Sequence, residues 1–76
     1  MKFLVNSYDH VAVNLANVSE ITISCNWLKL TITDSREVSL IYGTDYELDK
    51  LFERIKQFVA DDAESVLDCF FFLKTL

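Results

Sequence analysis

Residues 40–55 read LIYGTDYELDKLFERI, and the fold turns on where that stretch changes period. Up to Tyr42 the apolar residues alternate with polar ones. Beyond Gly43, the only glycine, Thr44-Asp45-Tyr46-Glu47 forms a capping box, in which the Thr44 hydroxyl takes the Glu47 amide and the Glu47 carboxylate reaches back to Thr44. Behind it Leu48, Leu51, Phe52, Ile55, Phe58 and Val59 recur at three- and four-residue spacing, with Asp49, Lys50, Glu53, Arg54, Lys56 and Gln57 opposite. The spacing predicts an amphipathic helix over about 45–60, lying on a sheet.

Toward the N-terminus from Gly43, the first half has period two. Phe3 and Val5 share a face, as do Val11, Val13 and Leu15; then Ile21, Ile23 and Cys25; Leu28, Leu30 and Ile32; and Val38, Leu40 and Tyr42. Breaks fall at Tyr8-Asp9, Ala16-Asn17, near Asn26 and at Asp34-Ser35, residue types that make turns through side-chain bonds to the backbone. Connections this short favour antiparallel neighbours. The expectation is an α+β fold with an antiparallel meander of four to five strands over about residues 2–42, in one domain spanning 1–76.

Toward the C-terminus, Asp61-Asp62-Ala63-Glu64 looks like a second helix start, and Ala63, Val66, Leu67, Phe70 and Leu73 would form its stripe. Five strands at about 4.8 Å make a sheet roughly 24 Å wide, which one helix about 10 Å across does not cover. Phe71 and Phe72 fit neither a one-sided helix nor a one-sided strand, so residues 62–75 are read as helix or strand. An exposed phenylalanine forgoes about 1.5–3 kcal/mol of burial. Phe71, Phe72 and Leu76 are therefore candidate interface residues, for a second copy or another protein. Trp27 joins them: it lies on the polar face of its strand, where it covers the sheet beside Ala12 or Ile41 or anchors a partner.

The net charge of −5 is concentrated in the second half, where residues 44–68 hold eight acids and three bases. No basic stripe is available for a phosphate backbone, so direct nucleic-acid binding is not expected. Asp45, Asp49, Glu53, Asp61, Asp62 and Glu64 are the candidate acidic surface. If they converge, they suit an inhibitor or nucleic-acid mimic of the phage or mobile-element type. Helix capping and the helix dipole account for most of them without any function.

Other chemistry has little support. His10 is the only histidine, and its neighbour Asp9 would point to the opposite face of a strand. Cys25 and Cys69 lie far apart without zinc-ligand spacing, and read as buried free thiols of a reducing compartment. No catalytic residue, metal or cofactor is expected. Neither a secretory leader nor an apolar run of about 18 residues is present, which points to a cytoplasmic protein with no membrane contact. The sequence reading is a small acidic, non-enzymatic protein–protein interaction module, self-associating through its aromatic tail.

Overall fold

The computed structural model describes residues 1–33 and 36–76, so the expected turn at Asp34-Ser35 lies outside the described residues. The chain is α+β, running β1 (Phe3–Asn6), β2 (Val11–Asn14), β3 (Val18–Ser24), β4 (Trp27–Ile32), β5 (Glu37–Tyr42), α1 (Asp45–Ala60), β6 (Val66–Asp68) and α2 (Cys69–Lys74). Strands form throughout the segment where period two predicts them, but only β3-β4-β5 make the antiparallel meander. The other sheet has the order β2-β1-β6.

The division has a local cause. Residues Leu15–Asn17 form a 3-10 turn started by Asn14, whose side chain accepts from the Ala16 amide at 3.0 Å. The chain thereby leaves the β1–β2 hairpin and enters the second sheet. A lone hairpin is marginal in water. Here β6 completes it from the far end of the chain, parallel to β1, with Leu4 opposite Leu67 and the Phe3 amide donating to the Ser65 carbonyl at 2.9 Å. A parallel pair needs a long connection, and α1 lies within this one.

Two irregularities in the meander move residues away from the positions that simple alternation assigns them. Cys25 and Asn26 both have positive φ, 53° and 64°, as a two-residue turn of the type I′ class requires. Cys25 therefore sits exposed at a hairpin tip rather than buried on the strand face that period two assigned it. Between β4 and β5 the register shifts: Leu28 pairs with Ile41 but Lys29 with Ser39, leaving Leu40 as a bulge residue. The bulge lets consecutive residues Leu40 and Ile41 both enter the core.

Helix α1 occupies the predicted span, with both bonds of the capping box formed: Glu47 amide to Thr44 Oγ1 at 3.1 Å, and Thr44 amide to Glu47 Oε1 at 2.9 Å. Leu48, Leu51, Ile55 and Phe58 are buried against Leu4, Val13, Leu67, Leu28, Leu30, Leu40 and Ile41, so one core joins the helix to both sheets. Phe52 is half-buried and Val59 is exposed, so the covered stripe is narrower than the apolar spacing suggested.

No basic residue stands in the last turn of α1. Lys2, just ahead of β1, serves that end instead. Its ammonium donates to the carbonyls of Phe58 at 2.8 Å, Asp61 at 2.5 Å and Glu64 at 2.6 Å, and lies 4.5 Å from the centre of the Phe58 ring. Three N–H donors thus meet three carbonyls where the helix dipole favours a cation.

The expected helix from Asp61 does not form. The Asp61 carboxylate caps a local turn, accepting from the Ala63 amide at 2.9 Å, and Arg54 holds Glu64 through two hydrogen bonds of 3.1 and 2.5 Å. With Lys2 fixing the carbonyls on either side, the segment is delivered to the edge of β1 as a strand. The tail is then strand followed by helix: β6 gives way to α2 at Asp68, whose carboxylate accepts from the amides of Phe70 and Phe71 at 3.1 and 3.2 Å. Cys69 is buried, while Phe70, Phe72 and Leu73 pack against the core. Phe71 alone of the three phenylalanines points outward, 65% exposed. The chain's 4846 Å² of surface is close to the about 4800 Å² expected of a folded protein of its mass, so that exposure is local. No helix among the described residues is long and apolar enough to cross a membrane.

Replacing Lys2 by Met keeps the aliphatic stem and deletes the three charge-assisted bonds. We expect a loss of about 1.5–3 kcal/mol in urea unfolding, against no more than about 0.5 kcal/mol for Lys56→Met on the exposed helix face. Equal midpoints for the two variants would contradict this role for Lys2.

Candidate functional site

The β1–β2 loop, the β4 and β5 strand ends and α2 enclose a groove of about 380 Å³. Tyr8, Trp27, Tyr42 and Phe70 supply its aromatic walls, Ile41 and Leu73 add aliphatic surface, and Asn6 lies at its base. Each wall residue has a separate structural origin. Trp27 and Tyr42 are cross-strand partners on β4 and β5, their rings edge-to-face at 5.4 Å. Phe70 is aimed by the Asp68 cap of α2, and Tyr8 from the hairpin loop stacks on it at 5.1 Å.

Asn6 ties the loop that carries Tyr8 to the strand that carries Tyr42. Its Oδ1 accepts from the Tyr8 and Asp9 amides at 3.1 and 3.4 Å, while Nδ2 donates to the Leu40 carbonyl at 2.9 Å and to Asp9 Oδ2 at 3.2 Å. The hairpin loop and the bulged strand are thus held by one buried amide. Asn26 acts at the other edge: its Nδ2 donates to the Gly43 carbonyl at 3.0 Å, which pins the turn before Trp27 to the start of α1.

Three charged groups line the groove: Asp9, Glu47 and Lys74. Glu47 is committed to the capping box, and the Lys74 ammonium lies 5.4 Å from the centre of the Phe70 ring. Beneath the site, burial would raise the Asp68 carboxyl, but hydrogen bonds from the Ser7 side chain and the Phe71, Ser7 and Phe70 amides outweigh it and hold the group below its ordinary value. The charged form that caps α2 is therefore favoured. Next to it, burial first, and then the negative charge of Asp68, push the Cys69 thiol up to about 12.

Of the candidate interface residues, Trp27 lies in the groove beside Ile41 and Tyr42, and away from Ala12. Phe72 is packed on the core, and Phe71 and Leu76 are exposed outside the groove. Tyr8, Tyr42 and Phe70 escaped the sequence reading. Only a hairpin loop, a register and a capped turn, none visible as a motif, bring them to Trp27.

Asp45, Asp49 and Glu53 follow one row along α1, whereas Asp61 and Asp62 follow its C-terminal end and Glu64 turns back to Arg54. Glu64 is bound by Arg54, Glu53 pairs with Lys56 at 3.0 Å, and Asp61 caps a turn. Asp45, Asp49 and Asp62 remain as exposed carboxylates on two separate parts of the surface. His10 is exposed in the hairpin loop with φ 58°. No cluster of three His, Cys, Asp or Glu side chains that could hold a metal occurs among the described residues. A second depression, about 460 Å³, lies along β2 and meets Ile32, Arg36 and Val38, with no aromatic wall.

Two measurements check the roles of Asn6 and Cys69. Asn6→Ala leaves the Leu40 carbonyl and two amides without their partner, and we expect it to cost about 2–4 kcal/mol in denaturant unfolding; a value under 1 kcal/mol would exclude Asn6 as the tie. For the thiols, a group that ionises less readily folded than unfolded stabilises the fold while both states are protonated. Stability should therefore fall as pH rises from 9.0, the unperturbed value, through about 12. In the same range native Cys25 should react with a thiol reagent and Cys69 only after unfolding; rapid modification of both would refute the burial of Cys69. Compared with known proteins, the chain matches no family model, no curated protein and no solved structure.

Proposed function

We propose that the chain is a small, non-enzymatic protein–protein interaction module whose contact surface is the aromatic groove. The observation that supports it is the meeting of Tyr8, Trp27, Tyr42 and Phe70 around one opening, from four separate parts of the chain. Aromatic side chains give large apolar area for few rotatable bonds, and tryptophan and tyrosine are enriched where a few residues carry most of the binding energy. The walls are also held from behind. Asn6, Asn26 and Asp68 fix them through buried or backbone-directed hydrogen bonds, so little ordering remains to be done on binding.

The groove should behave as a hot spot toward small probes. In a fragment screen followed by amide and indole NMR shifts, aromatic and aliphatic fragments are expected to cluster at Tyr8, Trp27, Tyr42 and Phe70. Trp27→Ala and, independently, the milder Tyr42→Ser should weaken them at least about threefold. Hits scattered over the surface, or unaffected by both substitutions, would exclude the groove as the contact surface.

A further inference from the structure

We propose that the occupant of the groove is Phe71 of a second copy of this chain, docked reciprocally across a two-fold axis beside α2. The inference rests on the reading of the groove as a contact surface and goes further by naming the partner. Its first support is the placement of knob and hole on one short helix. At 100° per residue, Cys69 and Phe72 share the side of α2 that meets the core, Phe70 and Leu73 reach both core and groove, and Lys74 turns toward the groove. Phe71 falls on the remaining side, next to Lys74 and away from the core, with 65% of its surface exposed. A knob beside its own hole is the arrangement a two-fold contact needs. Each copy presents the same patch, and the contact closes at two copies instead of propagating as a fibre.

Charge supports the same geometry. Lys74 stands between Phe71 and the groove, so closure carries it toward the axis. Asp9, the carboxylate of the groove lining that is not committed to the capping box, is there to receive it. Area sets the strength. Tyr8, Tyr42 and Phe71 are 71%, 61% and 65% exposed. At about 200 Å² per aromatic side chain they offer about 400 Å² of exposed surface per copy. Two such patches with a rim of Leu76 and Lys74 reach about 1000 Å², the lower limit of specific interfaces. The dimer is accordingly weak, with a dissociation constant on the order of 10 µM or above.

Sedimentation equilibrium of the intact chain from about 1 µM to 1 mM is the test, with isotope-filtered NOEs on a mixed labelled and unlabelled sample. The expected result is a mass rising from 8.8 kDa toward twice that value, with NOEs between copies from the Phe71 ring to Trp27 or Tyr42. Phe71→Ser should raise the dissociation constant at least about tenfold without loss of fold, because the ring is outside the core. Tyr42→Ser, on the groove side, should do the same, and the double variant should add little to either. A chain that stays monomeric at 1 mM overturns the proposal, and if fragments still bind the groove the module reading survives it. A dimer indifferent to both substitutions overturns it as well, and directs attention to another face, such as the unpaired edge of β3.

Discussion

The carboxamide of Asn6 is the only polar side chain buried among the described residues, and the two halves of the fold meet on it. Its oxygen gathers the hairpin loop and its nitrogen reaches across to Leu40 in the other sheet. An amide left without partners in such a place would cost about 1–3 kcal/mol, so the groups around it are constrained to remain where they are. The β4–β5 bulge belongs to the same arrangement. By setting Leu40 outside the regular pairing it leaves a carbonyl on the boundary between the sheets, where Asn6 meets it. The groove lies directly above this point, and its shape follows from the same bonds.

Around that tie, the first strand acts as the spine of a small protein. β1 takes β2 on one edge and β6 on the other, Asn6 fixes its end, and Lys2 fixes its beginning to the end of α1. The strand is only four residues long, yet elements from both ends of the chain depend on it. A core this small has few side chains to spend on specificity, and the burden falls on polar groups with directional bonds. The Arg54–Glu64 pair, the Asp68 cap and the Lys2 ammonium together aim the tail, which apolar contact alone would leave free to choose strand or helix.

The tail therefore serves both inside and outside. Its first apolar residues close the core, while Phe71 is turned away and Phe70 is turned into the groove. Adjacent residues on a helix differ by 100°, so a run of three phenylalanines on a capped helix divides among three surroundings. One short segment thus contributes to stability, to a recess and to a protrusion beside it. The acidic residues, by contrast, are distributed among caps and ion pairs. Their number in the sequence overstates the negative surface that the fold presents in any one place.

By itself the sequence determined those elements whose cause is local. Period-two alternation set the strands up to Tyr42, and the Thr44–Glu47 box with the three-and-four spacing behind it set α1, because each depends on residues within a few positions of one another. Asp61 shows the limit of local signals: it carries a helix-start pattern, but Lys2 and Arg54, from 59 and 7 positions away in the chain, claim the segment for a turn and a strand. Trp27 was legible as a tryptophan out of place, since its strand was plain. Its neighbours Tyr8, Tyr42 and Phe70 were not, since a hairpin loop, a cross-strand register and a capped turn bring them together. Only the tertiary structure decided the two sheets, the division of the tail and the groove, because local caps at Asn14 and Asp68 take effect only together with the remote β1–β6 pairing and the Lys2 and Asn6 bonds.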